Sequence, residues 1–411
     1  MRKFISRAAA LLLAGVMTAA VAGCGKNSNS EAKDTAKKWT ELDQTQITEA
    51  MGLGWNLGNQ LEASSGGLPS ETCWGNPEIT KELIDSVKAQ GFKTVRIPVS
   101  YLDMIGDGPD YKIDTDWLDR VQEVVDYVVN NDMFAIVNMH GDGYYTVDHS
   151  WLLCAEDDDK QTEIKDKYGK VWTQIADRFK DYDQHLIFES MNEEFNNDYG
   201  KPDANAYENI NAYNQIFVDS VRATGSNNEK RWLLLPGWNT NIEYTAGDDY
   251  NFKIPTDNGC KADGKRIMIS VHYYDPFNFT IDENKTAKTQ WGKYAVKNYD
   301  NWGQEDHVDS QMALLNKKFV SQGYPVVIGE FGAQDKTYSA DTNDKPLVIV
   351  SVEGITNDGT KITKDNFKNA SIITSNTTEI TISKVTFTVG DDETSVNVEA
   401  SPSNSQTITL K

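Results

Sequence analysis

Apolar runs of strand length recur along this chain, each followed by a helix-length amphipathic stretch, and that alternation leaves few folds open. The strand-like segments are a glycine-rich one within Ile47–Asn59, then Thr94–Val99, Phe134–His140, Leu186–Phe188, Trp232–Trp238, Ile267–Tyr274 and Val326–Ile328. Between them, helical spacing predicts a helix opening at Asn76-Pro77, with Asn as cap, an apolar face of Ile79, Leu83, Ile84 and Val87, and an end at Gly91. Further helices are expected over Trp117–Asn131, Ile164–Phe179, Ala204–Val221 and Val308–Val320. Strands alternating with helices at this spacing make parallel βαβ units. Seven of them with polar groups at each carboxyl end predict the α/β class and a (β/α)8 TIM barrel. A doubly wound dinucleotide fold is disfavoured, because Gly52-Leu53-Gly54 has no third glycine at the required offset and no ribose-binding acid follows.

Barrel strands deliver chemistry at their carboxyl ends. Here those ends carry Arg96, His140, Asn192 with Glu193, Trp238, His272 with Tyr274, and Glu330. Singly, each has a bland reading as an ion pair, a structural donor or a cap. Their convergence on one rim predicts an active site. Two carboxylates at strand ends suit cleavage of a glycosidic bond, one as nucleophile and one as general acid and then base. The nucleophile must stay ionised, so a cation such as Arg96 and a donor such as Tyr274 belong beside it. The acid must keep its proton, which a neighbouring carboxylate favours and His272 would tune. Asn192 offers a donor to the sugar 2-hydroxyl. These residues alone leave open which glutamate plays which part. Of the flanking acids, strand alternation puts Glu189 on the opposite face from Ser190 and Asn192, as a structural ion-pair partner, and Glu194 is expected to point away from the sugar.

The net charge of −22 argues against nucleic acid and anionic membranes and is compatible with a neutral polymer. Met1-Arg2-Lys3 with Arg7, then apolar Ala8–Val21, reads as a targeting segment, too short for a stable transmembrane helix. Val21-Ala22-Gly23-Cys24 resembles a bacterial lipobox, which implies lipidation at Cys24 and a surface-anchored or secreted extracellular protein. Residues 1–23 are thus expected as a lipoprotein signal peptide, in preference to an ordinary secretory signal with a chance Cys, and 24–44 as a flexible tether. Cys73, Cys154 and Cys260 have no zinc-site spacing and are expected as free or buried thiols.

The motifs together resemble glycoside hydrolase family 5, a retaining (β/α)8 family of endo-β-glucanases, and within it subfamily 4. The resemblance rests on Gly54-Trp55-Asn56-Leu57-Gly58-Asn59-Gln60-Leu61-Glu62, on Glu71-Thr72-Cys73-Trp74-Gly75-Asn76-Pro77 and on the Asn192-Glu193 region, and covers about Thr45–Lys336. It implies Glu193 as acid/base, Glu330 as nucleophile, and Arg96, His140, Asn192, His272 and Tyr274 around the sugar. Asn56 in the opening motif joins the substrate-binding set, with Trp74 and Trp238 as candidate sugar platforms. It also implies hydrolysis of cellulose, xyloglucan or mixed-linkage β-glucan by double displacement, with no metal or organic cofactor. The partners are then the polysaccharide and, through the lipid alone, a membrane, and the protein should act as a monomer. Where the subfamily commonly has a second His after His140, this chain has Gly141.

The pattern runs out after Gly332. No helix–strand–helix follows to supply an eighth barrel strand with a sugar-stacking Trp, and no Trp occurs after Trp302. The barrel is therefore expected over 45–338 without its usual eighth unit, in preference to Leu347–Val352 filling that place across a short connection or another chain supplying it, and this leaves the chain prone to aggregation. Short alternating runs over 346–411 predict a small antiparallel β-rich, Ig-like module: Leu347–Val352, Ser371–Ile373, Thr378–Ile382, Val385–Val389, Ser395–Val398 and Thr407–Leu410. Its only aromatics are Phe367 and Phe387, which suits a spacer better than a carbohydrate-binding module. The absent strand motivates a second reading, a catalytically impaired glycan-binding surface lipoprotein.

Overall fold

The computed structural model describes residues 39–284 and 287–334, and the backbone of the strands Leu347–Thr356, Lys361–Ile362, Ile380–Val389 and Asp392–Asn397. The expected signal peptide, Cys24, most of the expected tether and the expected strands Ser371–Ile373 and Thr407–Leu410 lie outside the described residues.

Seven strands form one parallel sheet in strict chain order: β1 Gly54–Asn56, β2 Thr94–Ile97, β3 Phe134–Asn138, β4 Leu186–Glu189, β5 Leu233–Pro236, β6 Ile267–Tyr273 and β7 Val326–Phe331. Sequential parallel order with helical crossovers is the topology of the TIM barrel. No described residue forms an eighth strand of this sheet; β1 and β7 stand at its two ends. By its contacts the chain divides into two compact units. The first holds residues up to Thr240, Tyr244–Ser270 and Phe319–Val327; the second holds Asn241–Glu243, Val271–Lys318 and Ile328 onward.

In the first unit the chain begins with a helix where a strand was expected. Ile47–Met51 belongs to α1, Gln44–Met51, and the strand is only Gly54–Asn56. Asp43 explains the start: its carboxylate accepts from the N–H of Thr45 and Gln46, while the Gln46 side chain accepts from the Asp43 N–H. Ile47 and Met51, four apart on one face, pack with Phe134, Ile136, Ile187, Trp232, Leu234 and Met268. The placed chain reaches back into the tether, where the Thr40 N–H donates to Gln184 Oε1.

The first crossover helix also starts later than expected. Asn76-Pro77 is irregular, and α2 is Lys81–Ala89, capped by Thr80 Oγ1 accepting from the Leu83 N–H. A true cap needs an oxygen aimed at the first turn; Asn76 instead spends its amide on the Asn59 carbonyl at 2.8 Å. Helices α3 Thr115–Val129, α4 Asp158–Arg178 and α5 Ala204–Ala223 follow, each capped by an Asp: Asp114, Asp157 and Asp203. The Arg231 guanidinium, fully buried, ties the end of α4 to the entry of β4. It donates to the carbonyls of Phe179, Tyr182, Asp183 and Leu186 and to Asn228 Oδ1.

In the second unit, α6 Glu305–Lys318 carries acids in its first turn and lysines in its last, matching the helix dipole. The downstream strands form a separate four-stranded antiparallel sheet. Leu347–Thr356 pairs with Lys361–Ile362 on one side and Ile380–Val389 on the other, which pairs in turn with Asp392–Asn397. Thr378–Ile382 and Val385–Val389, expected as two strands, are one continuous strand from Ile380. The linking Ser383-Lys384 contains no Gly, Pro or Asn to turn the chain.

Candidate active site

Register places the polar layer of the first unit. Asn56 on β1 stands beside Arg96 on β2, and Asn138 on β3 beside Glu189 on β4. Side chains alternate along a strand. Phe134 and Ile136 therefore face the apolar cluster and Asn138 follows them inward, as Glu189 follows Ile187.

The centre of this layer is an ion pair. Arg96 Nε donates to Glu189 Oε2 at 2.6 Å, with the two side chains 3% and 0% exposed. Asn138 Nδ2 adds a bond to the same oxygen at 3.1 Å, and Ser270 Oγ donates to Oε1 at 2.6 Å. Arg96 Nη1 reaches Asn56 Oδ1 at 3.2 Å and Nη2 reaches Asn192 Oδ1 at 2.7 Å. Glu189 is thus an ion-pair partner. The expected separation of faces does not hold: Glu189 and Asn192 meet the same guanidinium. The strand ends at Glu189, so the turn through Ser190 and Met191 breaks the alternation that would have parted them.

Asn192 and the half-buried Glu193 follow that turn. The Tyr144 hydroxyl donates to Glu193 Oε2 and accepts from Asn192 Nδ2 at 3.2 Å. Tyr144 was not among the sequence candidates. Its signal was there, an aromatic four positions after the strand-end His140 and behind Gly141-Asp142-Gly143, but a tyrosine in a loop is too common to single out. His140 Nδ1 lies 3.2 Å from Asn138 Nδ2, and its ring stacks on Tyr144 with centroids 6.3 Å apart.

Glu194 does not reach the surface. It is 1% exposed, its Oε2 has no hydrogen-bond partner, and burial raises its pKa well above the ordinary carboxylate value, with the Asp142 charge adding to the effect. Asp142 is buried too, and its pKa is also raised by burial. It nonetheless accepts from the N–H groups of Tyr101 and Leu102 and from Trp151 Nε1. Of the two acids, Asp142 has three donors that favour its charged form, and burial shifts Glu194 toward its protonated form.

Trp238 is not a sugar platform. It is 1% exposed, packed against Tyr207 of α5 with centroids 5.6 Å apart. A strand-end position alone does not decide whether an indole turns toward the rim or back under the helices. Trp74 is 51% exposed, its edge pinned by Nε1 donating to the Ser64 carbonyl at 3.0 Å. Cys73, Cys154 and Cys260 are free thiols.

In the second unit, β6 and β7 bring three candidates together. The Tyr274 hydroxyl donates to Glu330 Oε2 at 3.0 Å, and His272 Nδ1 lies 3.7 Å from the same oxygen. His272 is buried and Glu330 partly exposed. A hydroxyl donating into a carboxylate favours its charged form.

The model of the cellulase family, glycosyl hydrolase family 5, matches residues 58–363, a span that includes both strand-end glutamates. The chain is 51% identical over 354 residues to Endoglucanase A of Paenibacillus barcinonensis, covering 85% of this chain and 86% of that one. Among solved structures it resembles a family 5 xyloglucanase from Paenibacillus pabuli in complex with ligand, with a TM-score of 0.69 and 56% identity, over 71% of this chain and 82% of that one. It also resembles a family 5 lichenase from Caldicellulosiruptor sp. F32, a mutant in complex with cellotetraose, with a TM-score of 0.62 and 37% identity, over 76% and 83%.

Proposed function

The chain belongs to glycosyl hydrolase family 5, and on that premise we propose a division of labour within its active site: Glu330 is the nucleophile and Glu193 the acid/base. The enzyme is a glycoside hydrolase that cleaves β-1,4-glucosidic bonds within plant cell-wall glucans, with retention. Glu330 attacks the anomeric carbon while Glu193 protonates the departing oxygen. Glu193 then takes a proton from water, which displaces Glu330. Retention by this route asks for carboxyls roughly 5–5.5 Å apart. The observation that carries the assignment is the contrast in partners. Both carboxyls receive a tyrosine hydroxyl, Tyr274 on Glu330 and Tyr144 on Glu193, and Glu330 differs in having the buried His272 Nδ1 3.7 Å away. Glu193 follows Asn192, whose amide is held by Arg96 and has a hydrogen to offer the sugar 2-hydroxyl.

Trp74 supplies an exposed indole face for a sugar ring, and Asn56 and His140 line the same layer. The protein is secreted and held at the cell surface by a lipid on Cys24, and residues 346–411 act as a spacer module. Among the described residues no helix is long and apolar enough to cross a membrane.

The test is release of new reducing ends from soluble barley β-glucan. Glu193→Gln should slow it by about 10²–10⁴-fold, and Glu330→Gln should abolish it. Parent-like rates in either variant would sink the assignment. A wild-type protein that binds the glucan without cutting it would favour the glycan-binding alternative.

A further inference from the structure

We infer that Tyr144 is a positioning residue that sets the proton affinity of Glu193, as the last donor in a one-way chain of hydrogen bonds starting at Arg96. This rests on Glu193 being the acid/base. The direction of the chain follows from what each group can do. A guanidinium only donates, so the Asn192 oxygen must face Arg96 Nη2, 2.7 Å away. That leaves the Asn192 nitrogen toward Tyr144, at 3.2 Å, and an amide nitrogen also only donates. The Tyr144 oxygen is therefore the acceptor there, and its single hydrogen goes to Glu193 Oε2. Arg96 cannot turn to relax this order, because Glu189 holds its Nε at 2.6 Å in a fully buried pair.

Two consequences concern the reaction. With Oε2 occupied by the Tyr144 hydrogen, the catalytic proton of Glu193 sits on Oε1. As that proton moves to the glycosidic oxygen and the bond to the anomeric carbon passes to Glu330, charge develops on Glu193 and the Tyr144 bond strengthens. Such a bond favours the transition state over the ground state. In the second step water gives its proton back to Glu193 and the bond relaxes. The loop that carries Tyr144 is placed by Gly143, where an added Cβ would fall 1.6 Å from Glu194 Oε1. The Tyr144 ring rests on His140.

Tyr144→Phe keeps the ring and removes the donor. A donor to the charged form lowers a carboxyl pKa, so its loss should raise the alkaline limb of kcat/KM on β-glucan by about one pH unit and lower the rate roughly tenfold, with KM little changed. The loss should be much smaller on a dinitrophenyl cellobioside, whose leaving group departs without a proton. Difluorotyrosine incorporated at position 144, a stronger donor in the same ring, should move the limb the other way, and it carries the test if Tyr144→Phe fails to fold. Glu193→Gln separates the two claims. It should lose glucan turnover yet keep the first step on the dinitrophenyl substrate. If it shows no such split, the acid/base assignment has failed and this inference with it. If it does, while neither change at Tyr144 alters the pH limb or the leaving-group dependence, the assignment stands and the inference is overturned.

Discussion

Two neighbouring glutamates in this chain have opposite fates. Glu193 is half-buried and receives a tyrosine hydroxyl, while Glu194 is buried against Gly143 with no hydrogen-bond partner at its Oε2. A buried carboxyl without partners stays neutral. The linkage has a definite sign. Glu194 in the folded state binds its proton more tightly than in the unfolded chain, whose value is about 4.5. Above that pH the unfolded state releases the proton and the folded state keeps it, so stability falls as pH rises, by up to ~1.4 kcal/mol per unit. Glu194→Gln should flatten this dependence on the alkaline side of pH 4.5. Thermal melts of both proteins between pH 5 and about 8 would show parallel curves if Glu194 were ionised after all.

Among the elements, α1 contributes more than its eight residues suggest. Ile47 is fully buried among the amino-terminal residues of strands from across the first unit, including Phe134, Ile187 and Met268. The Met51 carbonyl accepts from Thr94 Oγ1 on β2 at 2.7 Å. Apolar residues thus close this end of the strands while Arg96, Asn138, Glu189 and Ser270 occupy the other. Ile47→Ala should cost about 2–5 kcal/mol, seen as a lower urea midpoint with an unchanged slope. Because the polar layer lies at the opposite ends of the same strands, kcat on β-glucan below the melting range should stay near that of the parent. A drop in kcat with no loss of stability would contradict the separation of the two layers.

At the scale of the whole molecule, the sequence predicts a surface enzyme that brings a neutral polymer substrate to an acidic protein of net charge −22. If Cys24 is lipidated, the cell-made protein should fractionate with membranes and be released by detergent, and Cys24→Ala should alter its processing, leaving residues 1–23 uncleaved. Wild-type protein found wholly in the supernatant would overturn the anchor. The seven parallel strands and the separate antiparallel sheet were both readable as patterns, the first as strand–helix alternation and the second as short Thr- and Val-rich runs. The number of strands in the second sheet was not, because nothing local distinguishes a turn at Ser383-Lys384 from continued strand.

Periodicity and strand-end chemistry were enough to reach the parallel α/β fold and its seven strands, and the resemblance of local motifs reached the family, since each is written in residues close together in the chain. They also marked Arg96, Asn192, Glu193 and Glu330 as the residues to watch. Of the contacts between residues distant in sequence they reached the Tyr274 hydroxyl beside Glu330 and little else. Glu189 and Arg96 are 93 positions apart and Tyr144 and Glu193 are 49 apart. Such pairs are made by strand register and by loops packing on one another, and a one-residue change of register would exchange the inward and outward faces. The burial of Trp238, the burial that raises the Glu194 pKa and the direction of the hydrogen bonds reaching Glu193 were therefore decided only when the chain folded.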